Sequence, residues 1–239
     1  MIANYTEQGW QIITQRSHGL LAAQICAHWR ESERPERWIE TLLATAEHDD
    51  AFNELENEQL LDQNGAPLNF KMTTFENDKS QRLIDMAQTK SAYIALLQSR
   101  HLHFVHGKDP SAQTFLKEIR KMEHNWLKTA GTTPEQVRQS YQLLEFCDAF
   151  SLLLCQELVQ PEGRSIQIGT GPGQQPYDLY QHGDQLHVAP WPFQEEQFEI
   201  SYESRTIAQL SFSSTKAFKN TFQSAQTITH CLSLAKPAH

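Results

Sequence analysis

The sequence has few cysteines, few basic residues and no long apolar run, and each shortage removes a class of protein. Four cysteines, Cys26, Cys147, Cys155 and Cys231, stand far apart in 239 residues with no CxxC spacing. A disulfide scaffold or a thiolate zinc ribbon needs closely paired thiols, so these read as buried free thiols in a reducing, cytoplasmic setting. Lysine and arginine number 20 against 29 aspartates and glutamates, for a formal net charge of -9. A binder of long nucleic acid needs a basic face for the phosphates, and this balance argues against one. The best apolar run, residues 20–27, is interrupted by Gln24 and falls short of the ~20 residues of a membrane-spanning helix. Residues 1–11 carry Glu7 and no basic segment ahead of an apolar one, so no signal peptide and no membrane partner are expected.

What is present is a chain able to bury a core, with 39% apolar residues. Trp10 to Thr14 reads as a short strand, and Ser17 as the N-cap of a helix with Leu21, Ile25 and Trp29 on one face. Pro35 suits a first helical position ahead of the stripe Trp38, Ile39, Leu42, Leu43 and Ala46. A single long helix is predicted over residues 78–104, another over 111–127, and a third from Thr133-Pro134-Glu135-Gln136 to about Val159. From Pro161 the texture changes, and residues 165–169, 177–181, 185–188, 198–203 and 207–212 read as strands, with a hairpin turn at His182-Gly183-Asp184. The predicted fold is therefore α+β, a mainly α-helical domain over residues 1–160 with a small C-terminal antiparallel β appendage over 161–239 packed on it.

Eleven histidines are many for this length, and those on apolar helix faces carry the chemistry. Asp148 lies three or four residues from Leu144 and Leu152, beside an apolar stripe. A carboxylate facing a core is costly unless paired or bound to a metal; an arginine such as Arg82 or Arg138 is the structural alternative. His101 follows Leu97 and Ile94 at helical spacing, His48-Asp49 close the stripe of their own helix, and His18 opens another. Imidazole and carboxylate aimed inward from several helices are the ligand types of Zn, Mn and Fe sites. Taken singly, each is commonly a core or surface residue; taken together, His18, His48, Asp49, His101 and Asp148 are candidate ligands. Glu47 and Asp50, beside the pair, are candidate general bases or ligand holders, or else a solvated acidic helix end.

The order His18, then His48-Asp49, then Asp148 resembles the H…HD…D signature of the HD-domain superfamily, helical metal-dependent hydrolases mostly of phosphate esters. The resemblance implies that these four residues ligate the metal and that His101 matches the extra histidine of dinuclear members. A narrower resemblance spans nearly the whole chain. Glu7, Gly9-Trp10, Gln15-Arg16-Ser17-His18, Ala46-Glu47-His48-Asp49, Leu61-Asp62, Gly65-Ala66-Pro67, residues 143–152 and Pro190-Trp191-Pro192-Phe193 are similar to an uncharacterised bacterial family known only as a domain of unknown function. The chain departs from that pattern at Asp50-Ala51-Phe52, where a glycine and a tryptophan are expected, and at Ser17, where an acidic residue is common.

The narrower family supplies a fold hint but no activity; the HD resemblance implies a metal-dependent phosphohydrolase, and the acidic net charge points to a small phosphorylated molecule, a nucleotide among the candidates. The cofactor is one or two divalent ions drawn from Mn, Fe, Zn, Ni or Mg, and the oligomeric state is open. Four protein ligands leave two positions of an octahedral ion for water and substrate. A di-iron oxygenase of the HD type, with His101 completing a second position, is the alternative reading. A non-catalytic metal- or ligand-binding domain is a third. Gly169 to Gly173 reads as a loop and not a phosphate cradle, because no helix follows and Pro172 removes a donor. His103, His106, His124, His182 and His187 read as surface or structural groups, and Lys117, Arg120 and Lys121 as a solvated face.

Overall fold

The computed structural model describes residues 1–51, 54–56 and 58–237, so Phe52 lies outside the described residues. In chain order the elements are β1 (Ile2–Thr6), β2 (Gly9–Ile13), α1 (Gln15–Ala27), α2 (Trp38–Ala46), α3 (Asn77–Lys90), α4 (Ala92–His106), α5 (Gln113–Ala130), α6 (Pro134–Cys155), β3 (Ile166–Thr170), β4 (Pro176–His182), β5 (Gln185–Ala189), β6 (Gln197–Ile207), α7 (Thr215–Ser224) and β7 (Thr227–Ala235). No helix among the described residues is long and apolar enough to cross a membrane.

Local chemistry sets the helix ends. α1 begins earlier than expected, because Thr14 rather than Ser17 is the cap; its hydroxyl accepts the Ser17 N–H at 3.0 Å. The long helix predicted over residues 78–104 is two. Ser91 adopts an extended backbone (φ -163°, ψ 141°), and its hydroxyl accepts the Tyr93 N–H, so one residue stops α3 and caps α4. α5 ends at Gly131, which takes the left-handed conformation that glycine tolerates. α6 starts on a capping box in which Thr133 and Gln136 satisfy each other's backbone N–H groups.

The sheet overturns the predicted fold class. A small antiparallel appendage on an HD-like helical domain does not fit, because the molecule holds a seven-stranded mixed sheet in the order β1-β2-β6-β7-β5-β4-β3. Two of its strands come from the start of the chain: the β1–β2 hairpin joins through β2 to β6, with Trp10 opposite Ile207. β5 and β7 pair in parallel, Leu186 beside Leu234. Residues 198–212 form one strand and a loop rather than two strands, and α7 and β7 follow where no element was predicted. β7 carries an alternating Ile228, His230, Leu232, Leu234 pattern that marks a strand. The hairpin turn predicted at His182-Gly183-Asp184 is present between β4 and β5, with His182 paired to Gln185 and Gly183-Asp184 as the loop.

The cores explain how the layers hold. One cluster joins α1 (Leu21, Ile25, Trp29), α6 (Phe146, Phe150, Leu154) and the sheet (Leu179, Val188, Ile200, Leu234). A second joins the opposite face of α6 (Val137, Tyr141, Leu144) to α3, α4 and α5 through Ile84, Leu97 and Ile119. α6 is thus buried on two sides, which its all-round apolar pattern requires. Trp29 is fully buried between the layers, with ring centroids 5.4 Å from Phe146, 5.9 Å from Tyr177 and 6.2 Å from Phe193. Trp29→Ala is expected to lower stability by about 3–5 kcal/mol, read as a shift in the urea midpoint.

Candidate metal centre

His18 sits in the second turn of α1, His48 and Asp49 in the turn that follows α2, His101 on α4 and Asp148 on α6. The structure brings all five together. Gly19 makes the first approach possible. A Cβ there would lie 2.5 Å from the Ala46 carbonyl oxygen, so only glycine lets the end of α2 reach α1. The three imidazoles and Asp148 are buried; the Asp49 side chain keeps 30% of its surface exposed.

The hydrogen bonds decide which nitrogens are bare. His48 Nδ1–H donates to the Thr45 carbonyl at 2.8 Å, leaving Nε2 with a lone pair. The Ser151 hydroxyl donates its one proton to the Asp148 carbonyl at 2.9 Å, so it accepts from His18 Nδ1 at 2.7 Å. That leaves His18 Nε2 bare as well. The two Nε2 atoms are 3.0 Å apart, a repulsive contact unless a cation or a shared proton lies between them. Asp148 Oδ1 is 3.1 Å from His18 Nε2 and 3.3 Å from His48 Nε2, yet no donor lines up with it in hydrogen-bond geometry. Asp49 completes the group, with Oδ2 3.6 Å from His48 Nε2 and Oδ1 3.4 Å from His101 Nε2. His101 Nε2 is buried without a hydrogen-bond partner, and Tyr141 OH lies 3.4 Å from its Nδ1.

This donor set fits a divalent ion. Ligands about 2.0–2.2 Å from a common ion lie roughly 3.0–4.3 Å from one another, the spacing found here. Two triads qualify, His18/His48/Asp49 and His48/His101/Asp148, and His48 belongs to both. The electrostatics agree. Burial opposes a charge on His48, but Asp148 and Asp49 outweigh it and raise its pKa to about 10. Burial likewise pushes Asp148 and Asp49 up, and His48 above all pulls both below the usual carboxylate range. Burial, with the nearby Glu145 and Asp148 carboxylates, pushes the Tyr141 hydroxyl up, so it stays neutral.

Asp49 and His101 form part of the wall of a cavity of about 180 Å³. Gln15 donates from Nε2 to Asp49 Oδ2 at 2.8 Å, and the buried Glu54 carboxylate accepts the Gln15 N–H at 2.8 Å. Glu47 and Asp50 stand elsewhere. Glu47 Oε2 pairs with Lys90 Nζ at 2.7 Å and Asp50 Oδ1 with Arg16 Nε at 2.7 Å, and both line a separate crevice against α3 and α4. Arg138, considered as a partner for Asp148, pairs with Glu135, and Arg82 lies 3.5 Å from Glu56. Sequence reasoning missed Gln15, Thr45, Glu54 and Ser151. For Ser151 a signal existed: a hydroxyl three residues after Asp148 within an apolar stripe.

Residues 1–209 match the family described as a protein of unknown function (DUF3891), and the chain belongs to it. No curated protein and no solved structure matches the chain.

Ser151→Ala removes the acceptor that sets the His18 tautomer, and should weaken binding of Mn²⁺ or Zn²⁺ roughly 10- to 100-fold in a calorimetric titration while the fold persists. A pH dependence follows from His48. Without an ion, its charge contributes stability that is fully present below the unfolded pKa of ~6.5 and is lost as pH rises through about 10. A bound ion takes the proton's place, so the rise in Tm given by Mn²⁺ over EDTA should grow between about pH 6.5 and 8.5. A constant or shrinking gain across that window would contradict this assignment.

Proposed function

We propose that this member of a family of unknown function is a metal-dependent phosphohydrolase acting on a small phosphate ester, a nucleotide among the candidates. One observation carries the reading: His18 and His48 turn their Nε2 atoms to a point shared with an Asp148 oxygen, an arrangement that calls for positive charge at its centre. The order His18, His48-Asp49, Asp148 adds its resemblance to the HD superfamily, which bears on the chemistry and not on the fold.

A divalent ion, when bound, polarises a phosphoryl oxygen and lowers the pKa of a water molecule towards neutrality. His18, His48, Asp49 and Asp148 would hold it, with His101 beside them. Thr45 and Ser151 keep the two imidazoles in the tautomers that present Nε2. Gln15 fixes Asp49, the ligand that meets the cavity. Glu54, the buried glutamate of the cavity wall, would take a proton from an attacking water, the part first assigned to Glu47 and Asp50.

His48 belongs to both ligand triads but offers one bare nitrogen, Nε2, and so serves one ion; a second would rest on His101 and Asp49. Two bound irons with no phosphatase activity would move the reading to a di-iron oxygenase. Protein purified from a metal-replete medium should carry one or two ions per chain by plasma mass spectrometry and release phosphate from a panel of monoesters and nucleotides. Asp148→Asn should lower both metal content and turnover, the latter at least about 100-fold. Metal-free protein from that preparation would sink the proposal.

A further inference from the structure

The cavity beside Asp49 and His101 has two unlike kinds of lining. One is apolar, built from Leu60, Leu68, Phe70, Leu83 and Leu102. The other carries the Glu54 and Glu76 carboxylates with two cations, Lys79 and the Met1 ammonium, which lies 3.7 Å from Glu54 Oε1. Lys79 Nζ lies 2.5 Å from Glu76 Oε1, so its charge is already matched. Glu54 is 7% exposed and held by the Gln15 N–H.

Beyond the ion-binding cluster, therefore, the described residues of the wall hold no surplus lysine, arginine or ammonium charge. Recognition of a second phosphate or carboxylate draws on an arginine fork, a lysine or a row of backbone N–H groups at a helix N-terminus. Here each cation is already matched by a carboxylate, so such a group would lose its water without gaining a counter-charge. The apolar lining residues would cover an uncharged body at no such cost.

From this distribution of charge we infer that the site takes a phosphate monoester whose organic body is uncharged and partly apolar. It rejects esters bearing a second anionic group, such as nucleoside di- and triphosphates or bisphosphates. Glu76 and Glu54 set that preference by occupying the two cations of the wall. The inference rests on the hydrolase reading above for the phosphate itself.

Two non-hydrolysable probes of similar shape separate the charge effect from size: 4-carbamoylbenzylphosphonate and 4-carboxybenzylphosphonate. Titrated calorimetrically into the full chain loaded with Mn²⁺, the carbamoyl compound should bind roughly 10- to 100-fold more tightly. Glu76→Gln removes one carboxylate and the partner of Lys79, and should narrow that ratio at least about threefold. Glu76 makes no side-chain capping bond to α3, so the variant keeps the fold. Equal affinities, a preference for the carboxy compound, or an unchanged ratio in Glu76→Gln overturns the inference. The matching phenyl phosphates distinguish it from the hydrolase reading. Hydrolysis of neither, with the expected binding ratio, removes the hydrolase reading and leaves the preference. Hydrolysis of both at equal rates removes the preference and leaves the hydrolase. Binding of neither phosphonate removes both.

Discussion

His18 and His48 each spend their Nδ1 proton on an acceptor at the rim of the cluster, and so each turns a lone pair inward. Those lone pairs meet 3.0 Å apart, with an Asp148 oxygen closing the triangle. Nothing in ordinary core packing favours this arrangement. Positive charge at the centre relieves it, whether a divalent ion or a proton, and Asp148 and Asp49 favour that charge by raising the His48 pKa against the effect of burial. The ends of α1 and α2, the middle of α4 and the second half of α6 converge there, so the junction of the helical layer and the candidate site are the same structure.

α6 organises everything around that point. One face packs with α1 against the sheet and the other against α3, α4 and α5. Asp148 lies on the seam between the two cores, where a carboxylate reaches α1 and the α2 turn together. The sheet fixes α1 and α6 relative to each other, and strands from both ends of the chain build it: β2 pairs with β6, and β6 with β7. Gly19 then removes the single Cβ that would hold α2 off α1. The site's precision thus comes from packing between layers rather than from any one helix.

Much of the candidate site was legible before the fold was known. Apolar spacing placed His101 and Asp148 on inward faces, and the order of His18, His48-Asp49 and Asp148 grouped residues 30 to 130 positions apart. The helices from α1 to α6 were legible in outline, from their stripes, caps and breakers. The failures have identifiable causes. Ser91 reads as a tolerable helix residue until its hydroxyl is seen capping α4. The β1–β2 hairpin and β7 are short amphipathic segments whose partners lie at the other end of the chain, and local pattern alone did not reveal the sheet that joins them. Glu47 and Asp50 stand next to the ligands in sequence, but the turn after α2 points them to Lys90 and Arg16.

The sequence by itself determined which residue types face inward and in what order, because helical periodicity and capping are local properties of the chain. Tertiary structure alone decided that His18 and His48 present Nε2 rather than Nδ1, that Asp148 is shared between them, and that Glu54 rather than Glu47 or Asp50 lines the cavity. Each of those outcomes depends on a hydrogen-bond acceptor, an opposing charge or a packing distance supplied by a different element. Such terms exist only once the layers have closed around α6.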